Sequence, residues 1–217
     1  MTPPEIIALS LSLSPHAEHG EHAADHRLHG TLTLPDTDKL RGLVVFVSAC
    51  GGDDPPGEAE MKEALLAENF ATVQMPLLRE AERHFADATT HLPRLAERLL
   101  ALLGLLRQQM NNQAIPEVGI GLVAAGDMSP LALRVAAIRD EDVKALVCHG
   151  GLLDLAGVQY LKVLRAPLLM LVDPDDTPAS ANARRAAGLI PAITEIVQLL
   201  PVQDRKQTVP RCQLKHL

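Results

Sequence analysis

Glu5 to Ser12 and Leu28 to Leu34 alternate apolar and polar residues, the period of a strand with one buried face. Together they predict an opening antiparallel hairpin. From Leu43 to Ser48 the pattern becomes an unbroken apolar, largely β-branched run, as expected of a parallel strand buried on both faces. Comparable runs recur at Ala71 to Leu77, Val118 to Ala124, Val143 to Cys148, Pro167 to Val172 and Ile193 to Leu200. Between them, Glu58 to Asn69, Leu92 to Gln109, Pro130 to Ile138 and Ala179 to Leu189 place apolar residues at helical spacing. Strand alternating with helix predicts an α/β fold: a doubly wound, mainly parallel sheet of about eight strands with an antiparallel N-terminal hairpin. No repeat or linker divides the pattern, so residues 1–217 are expected to form a single domain. The polar tail from Asp204 to Leu217, broken by Pro210, predicts no long terminal helix.

Composition narrows the partners. A formal charge of −7, three Phe, one Tyr and no Trp oppose binding to phosphate backbones or stacking on bases, so no nucleic-acid partner is expected. No run approaches the roughly 20 apolar residues of a membrane span, and the start lacks a basic region followed by an apolar one. The expected location is cytoplasmic, away from membranes. Cys50, Cys148 and Cys212 form no C-x-x-C pair, and reduced thiols are expected.

Four segments carry a resemblance: Gly42-Leu43-Val44-Val45-Phe46-Val47, Pro93-Arg94-Leu95-Ala96-Glu97-Arg98-Leu99, Gly150-Gly151-Leu152-Leu153-Asp154-Leu155-Ala156-Gly157 and Ala166-Pro167-Leu168-Leu169-Met170-Leu171-Val172. Their content and order, from Leu28 to Leu200, resemble small α/β hydrolases of the dienelactone-hydrolase-like group. The resemblance implies a serine or cysteine nucleophile in G-x-S-x-G or G-x-C-x-G, on a strained turn between the fifth strand and the next helix. The matching segment is Ala124-Ala125-Gly126-Asp127-Met128, with Gly126 at the nucleophile position and neither flanking glycine kept. Glycine adopts the positive φ of that turn with little strain, so the turn is expected to survive without its chemistry.

The other implied stations are altered too. The oxyanion loop reads Ser48-Ala49-Cys50-Gly51-Gly52, and the loop after the eighth strand, Pro201-Val202-Gln203-Asp204-Arg205, holds no histidine to act as base. Arginine stays protonated and is no ordinary base. His216, in the polar tail, is expected to be a surface residue. The acid persists among Asp173, Asp175 and Asp176. Ser129-Pro130 reads as a helix N-cap followed by proline at the first helical position, rather than as a displaced nucleophile.

Two further groups carry chemistry. Cys50, Cys148, His149 and Asp175 fall near strand ends on the side where open α/β sheets bind ligands, and compose a candidate thiol site that needs a lowered cysteine pKa. Against it, neighbouring residues of a strand point to opposite faces, which separates Cys148 from His149. His16, His19, His22, His26 and His29 are spaced three, three, four and three, within one broad helical arc, and are candidate ligands for Zn, Ni or Cu. The alternative is a solvated loop without fixed geometry.

These readings favour a non-catalytic, hydrolase-like protein that keeps the fold to bind a small-molecule ligand or a protein partner, with no required cofactor. An active hydrolase of small esters or lactones with a relocated nucleophile such as Cys50 or Cys148, and a transition-metal-binding protein, are the alternatives.

Overall fold

The structure, a computed structural model, describes residues 4–13, 27–37, 39–51, 57–84 and 91–199. Eight strands form one sheet in the order β1-β2-β4-β3-β5-β6-β7-β8. They are β1 Glu5–Ser12, β2 Arg27–Leu34, β3 Gly42–Val47, β4 Phe70–Gln74, β5 Ile120–Ala125, β6 Val143–His149, β7 Leu168–Val172 and β8 Thr194–Gln198. The opening pair is the expected antiparallel hairpin, with Glu5 opposite Leu34 and Ser12 opposite Arg27. β2 pairs antiparallel with β4, and every pairing from β4 through β3 to β8 is parallel.

The apolar patterns explain the layers. Every residue of β3 is buried between its parallel neighbours, whereas β1 buries only Leu9 and Leu11. Helix α1 spans Glu58–Ala67, α2 Leu92–Asn111, α3 Met128–Ile138, α4 Val158–Leu161 and α5 Thr177–Ala187. One stripe of α2, Leu95, Leu99, Leu102, Leu103 and Leu106, is fully buried. α3 is buried nearly all round, because it is wedged among α2, α4, β5 and β6. α1 buries nothing fully but lies over β4, and its Lys62 ammonium sits 5.1 Å from the Phe46 ring centre.

Several boundaries depart from expectation. β4 ends at Gln74 although Met75, Leu77 and Leu78 are buried, because Leu77 and Leu78 donate instead to the carbonyls of Ser48 and Ala49 in the loop after β3, at 3.0 and 2.8 Å. A 3₁₀ turn, Glu80–Glu82, leads from there towards α2. Helix α3 starts at Met128 with Asp127 at its N-cap, so Ser129 is inside the first turn; the expectation that Ser129 caps this helix is corrected. Among the described residues no helix is long and apolar enough to cross a membrane. The tail, Arg205, Cys212, His216, and four of the five clustered histidines, His16, His19, His22 and His26, lie outside the described residues.

Candidate functional site

The C-terminal ends of β3, β5, β6 and β7 meet in one place because all four strands run parallel in adjacent register, Val47 beside Ala124, Ala125 beside His149, and His149 beside Leu171. The turn leaving β5 is the tight strand-to-helix elbow that the sequence implied. Gly126 has φ +54°, in the left-handed region, and its N–H donates to the His149 carbonyl at 2.9 Å. The Ser129 N–H donates back to the Gly126 carbonyl at 3.0 Å and closes the turn. A Cβ placed on Gly126 meets nothing within 4 Å beyond its chain neighbours, so the station is sterically open.

A second glycine makes that turn possible. Gly151, at φ +84°, packs so closely that a Cβ on it would lie 2.1 Å from the Gly126 carbonyl oxygen and 3.1 Å from the Ser129 Cβ. Only the absence of a side chain lets the loop after β6 lie against the elbow.

Among the described residues, Cys148 and Ser129 are buried and Cys50 is bonded in a disulfide. Cys148 is 1% exposed, burial pushes its pKa up to about 12, and its thiol donates to the Ser129 carbonyl at 3.8 Å, a bond only the protonated form makes. The reactive anion is thus suppressed where a thiol site needs it promoted. Cys50 is disulfide-bonded, which corrects the expectation of a reduced thiol there and removes Cys50 as a free nucleophile, whereas Cys148 is free as expected. The Ser129 hydroxyl is fully buried inside α3.

The aspartate that the fold brings to His149 is Asp173, not Asp175. His149 Nε2 lies 3.2 Å from Asp173 Oδ2, with side-chain exposures of 37% and 51%. Register explains the pairing: His149 stands beside Leu171, and Asp173 is the first residue beyond the end of β7. Asp176 instead caps α5, its Oδ1 accepting from the Ala179 N–H at 2.9 Å. His29 is an exposed residue of β2, and among the described residues no three His, Cys, Asp or Glu side chains group to hold a metal.

One polar network was not foreseen. Glu82, 3% exposed, accepts hydrogen bonds from Arg79, Arg94 and Arg98, the last bidentate at 2.6 and 2.7 Å. Arg98 also donates to the Leu77 carbonyl at 2.6 Å, so the network pins the segment laced to the loop after β3. Burial alone raises the Glu82 pKa, but the bonds from Arg98 and Arg79 outweigh it and hold the carboxyl well below the usual range. The signal in the sequence was Arg98, a cation standing in the leucine stripe of α2.

No protein-family model matches the chain. It is 27% identical to the crystal structure of a dienelactone hydrolase from Anabaena variabilis ATCC 29413, covering 91% of this chain and 87% of that one at a TM-score of 0.75. The same architecture extends to Est1E from Butyrivibrio proteoclasticus, at 11% identity, TM-score 0.64 and 88% coverage of each chain. A cold-adapted esterase from an Arctic intertidal metagenomic library matches at 10% identity and TM-score 0.66, over 92% of this chain and 86% of that one. At such identities the last two likenesses concern the fold alone. In sequence, a Mycobacterium tuberculosis H37Rv protein whose name provisionally assigns it to the phosphoribosyl transferases is 32% identical over 163 residues, 75% of this chain. The chain spans only 35% of the length of that curated relative and of its counterpart in strain CDC 1551 / Oshkosh. The fold is that of the α/β hydrolases.

Proposed function

We propose that this α/β-hydrolase-fold chain forms no acyl-enzyme and uses the C-terminal ends of its parallel strands to bind a small-molecule ligand or a protein partner. The observation that carries the reading is Gly126: the elbow keeps its left-handed turn, with φ +54°, but presents no side chain there. Covalent acyl transfer needs a nucleophile with a base within hydrogen-bond reach. The disulfide at Cys50, the suppressed thiolate of Cys148 and the burial of Ser129 support the reading further. They disfavour the alternative of an ester or lactone hydrolase with a relocated thiol.

The transferase name belongs to mycobacterial proteins of which this chain spans 35% of the length. Asp127, Asp173 and Asp176 stand at the strand ends of this chain and repel a phosphate-rich substrate.

The test is treatment with a fluorophosphonate probe and with short activated esters, followed by intact mass measurement. No probe label and no acyl adduct are expected. Specific labelling of Ser129 or Ser48 overturns the reading, and so does an acyl group on Cys148. Binding is read from the rise in unfolding temperature across a panel of small esters and lactones.

A second proposal concerns metal. His16, His19, His22, His26 and His29 cluster in sequence as no other histidines of this chain do, and the segment is proposed to take up Zn, Ni or Cu.

A further inference from the structure

We propose that one disulfide joins Cys50 to Cys212 and straps the tail beyond Leu199 across the C-terminal ends of β7, β6 and β5, and that a small-molecule thiol releases it. The pairing follows by elimination. The chain has three cysteines; Cys50 is disulfide-bonded and Cys148 is free, which within one chain leaves Cys212, outside the described residues, as the partner.

The topology sets where such a tail runs. β8 is parallel to β7, so the chain leaves it at the same end of the sheet as the loop after β3, and the Leu199 N–H still donates to the Val172 carbonyl at 2.9 Å. Cys50 stands three residues beyond Val47, the last residue of β3. In the sheet β3 is four places from β8, with β5, β6 and β7 between them. At about 4.8 Å per strand the span is about 19 Å. The thirteen residues from Leu199 to Cys212 reach about 43 Å when extended, so the tail has length to spare.

Charge favours the direct path over the strand ends. Residues 200–217 carry Arg205, Lys206, Arg211 and Lys215 against one acid, Asp204. The ends they cross carry Asp127 after β5, and Asp173, Asp175 and Asp176 after β7. The stretches 125–128, 149–152 and 173–176 hold no Lys or Arg. Basic tail and acidic strand ends attract.

Release is thiol–disulfide exchange. The thiolate of a small-molecule thiol attacks one sulfur, the bond between Cys50 and Cys212 breaks, and a mixed disulfide forms. A second thiol displaces the protein sulfur, leaving two protein thiols and one small-molecule disulfide, so the two electrons come from the small thiol. Closed, the strap lies over the surface proposed to bind a ligand or partner; that consequence rests on the function proposed above, whereas the bond does not.

The experiment equilibrates the full chain with a small-molecule thiol and its disulfide, caps free thiols, and maps tryptic peptides without reductant. The peptide from Gly42 to Lys62 is expected to be joined to the peptide from Cys212 to Lys215, a link that excess thiol removes. The equilibrium constant of the bond against the thiol couple is expected to fall about 1.5- to 5-fold in Asp127→Asn and in Asp175→Asn. It should not change in Glu117→Gln, an exposed acid before β5 at the opposite end of the sheet. Reduction is expected to lower the unfolding temperature of native protein by about 4–8 °C and to leave Cys212→Ser unmoved, because the bond restricts the unfolded chain over most of its length but the folded chain only over the tail. Cys50 linked to Cys148 or to a second copy, or both thiols free when the disulfide is in excess, overturns the pairing. A mapped bond whose constant responds to neither aspartate variant overturns the path across the strand ends. With bond and path in place, a reduced protein that no ligand stabilises overturns the binding reading instead.

Discussion

Gly126→Ser places a hydroxyl where the fold usually carries one, and the geometry of the turn sets both its cost and its chemistry. At φ +54° a non-glycine residue costs about 1–2 kcal/mol, partly offset by about 0.4–1 kcal/mol from the smaller conformational freedom of the unfolded chain. No steric cost is added, since the new Cβ meets nothing within 4 Å beyond its neighbours. The net loss is therefore about 1 kcal/mol, a fall in unfolding temperature of about 2–4 °C for a chain of this size. The chemistry is limited by reach. A hydroxyl oxygen sits about 1.4 Å from its Cβ and a hydrogen bond adds about 2.8 Å, so a useful base must lie within about 4 Å of that Cβ. Among the described residues beyond its chain neighbours none does. The expected outcome is a folded protein, a few degrees less stable, that the fluorophosphonate probe leaves unlabelled and whose ester turnover matches native. Stoichiometric labelling of the introduced serine, or a gain in turnover of about 100-fold or more, would refute the reasoning. Gly151→Ala is the steric control: its Cβ would overlap the Gly126 carbonyl at 2.1 Å, so a loss above about 4 kcal/mol or failure to fold is expected.

Glu82→Gln breaks a buried ion network and is expected to cost about 3–5 kcal/mol at pH 7 by chemical denaturation. Because the folded carboxyl titrates below its unfolded value, the native advantage is full above about pH 5 and shrinks as pH falls below about 4; a pH-independent difference would contradict the assignment. Cys148, raised to about 12, is expected to resist alkylation at pH 8 until the protein is unfolded. Its linkage has the opposite sign: stability should fall by up to about 1.4 kcal/mol per pH unit from about pH 9 towards 12, and Cys148→Ala should remove that slope. Replacing His19, His22 and His26 with alanine is expected to abolish zinc or nickel uptake in calorimetry, and unchanged affinity would remove the segment from consideration.

Most of the sheet was legible because burial and period coincide. The run at β3 and the alternation in β1 each admit one arrangement, and the stripe of α2 fixes its inward face. Legibility ended where apolar residues are buried without belonging to an element: Leu77 and Leu78 look like strand, yet spend their N–H groups on the loop after β3. Ser129-Pro130 looked like a cap because nothing local says that a left-handed Gly126 followed by Asp127 starts the helix two residues earlier. The candidate site was half legible. His149 was named, but its partner depends on register between β6 and β7, which sets Asp173 rather than Asp175 beside it and is not written in either strand alone.

The bare turn at Gly126 also constrains the order in which mutations can accumulate. A side chain there consumes about 1–2 kcal/mol of a total stability that for proteins generally is only about 5–15 kcal/mol. A variant line that acquires a hydroxyl there first loses stability at once and gains no rate, whereas one that first brings a base within reach meets no penalty at the turn. Acquisition of both groups is therefore ordered, base before nucleophile, and what enforces the order at the glycine is strain rather than chemistry.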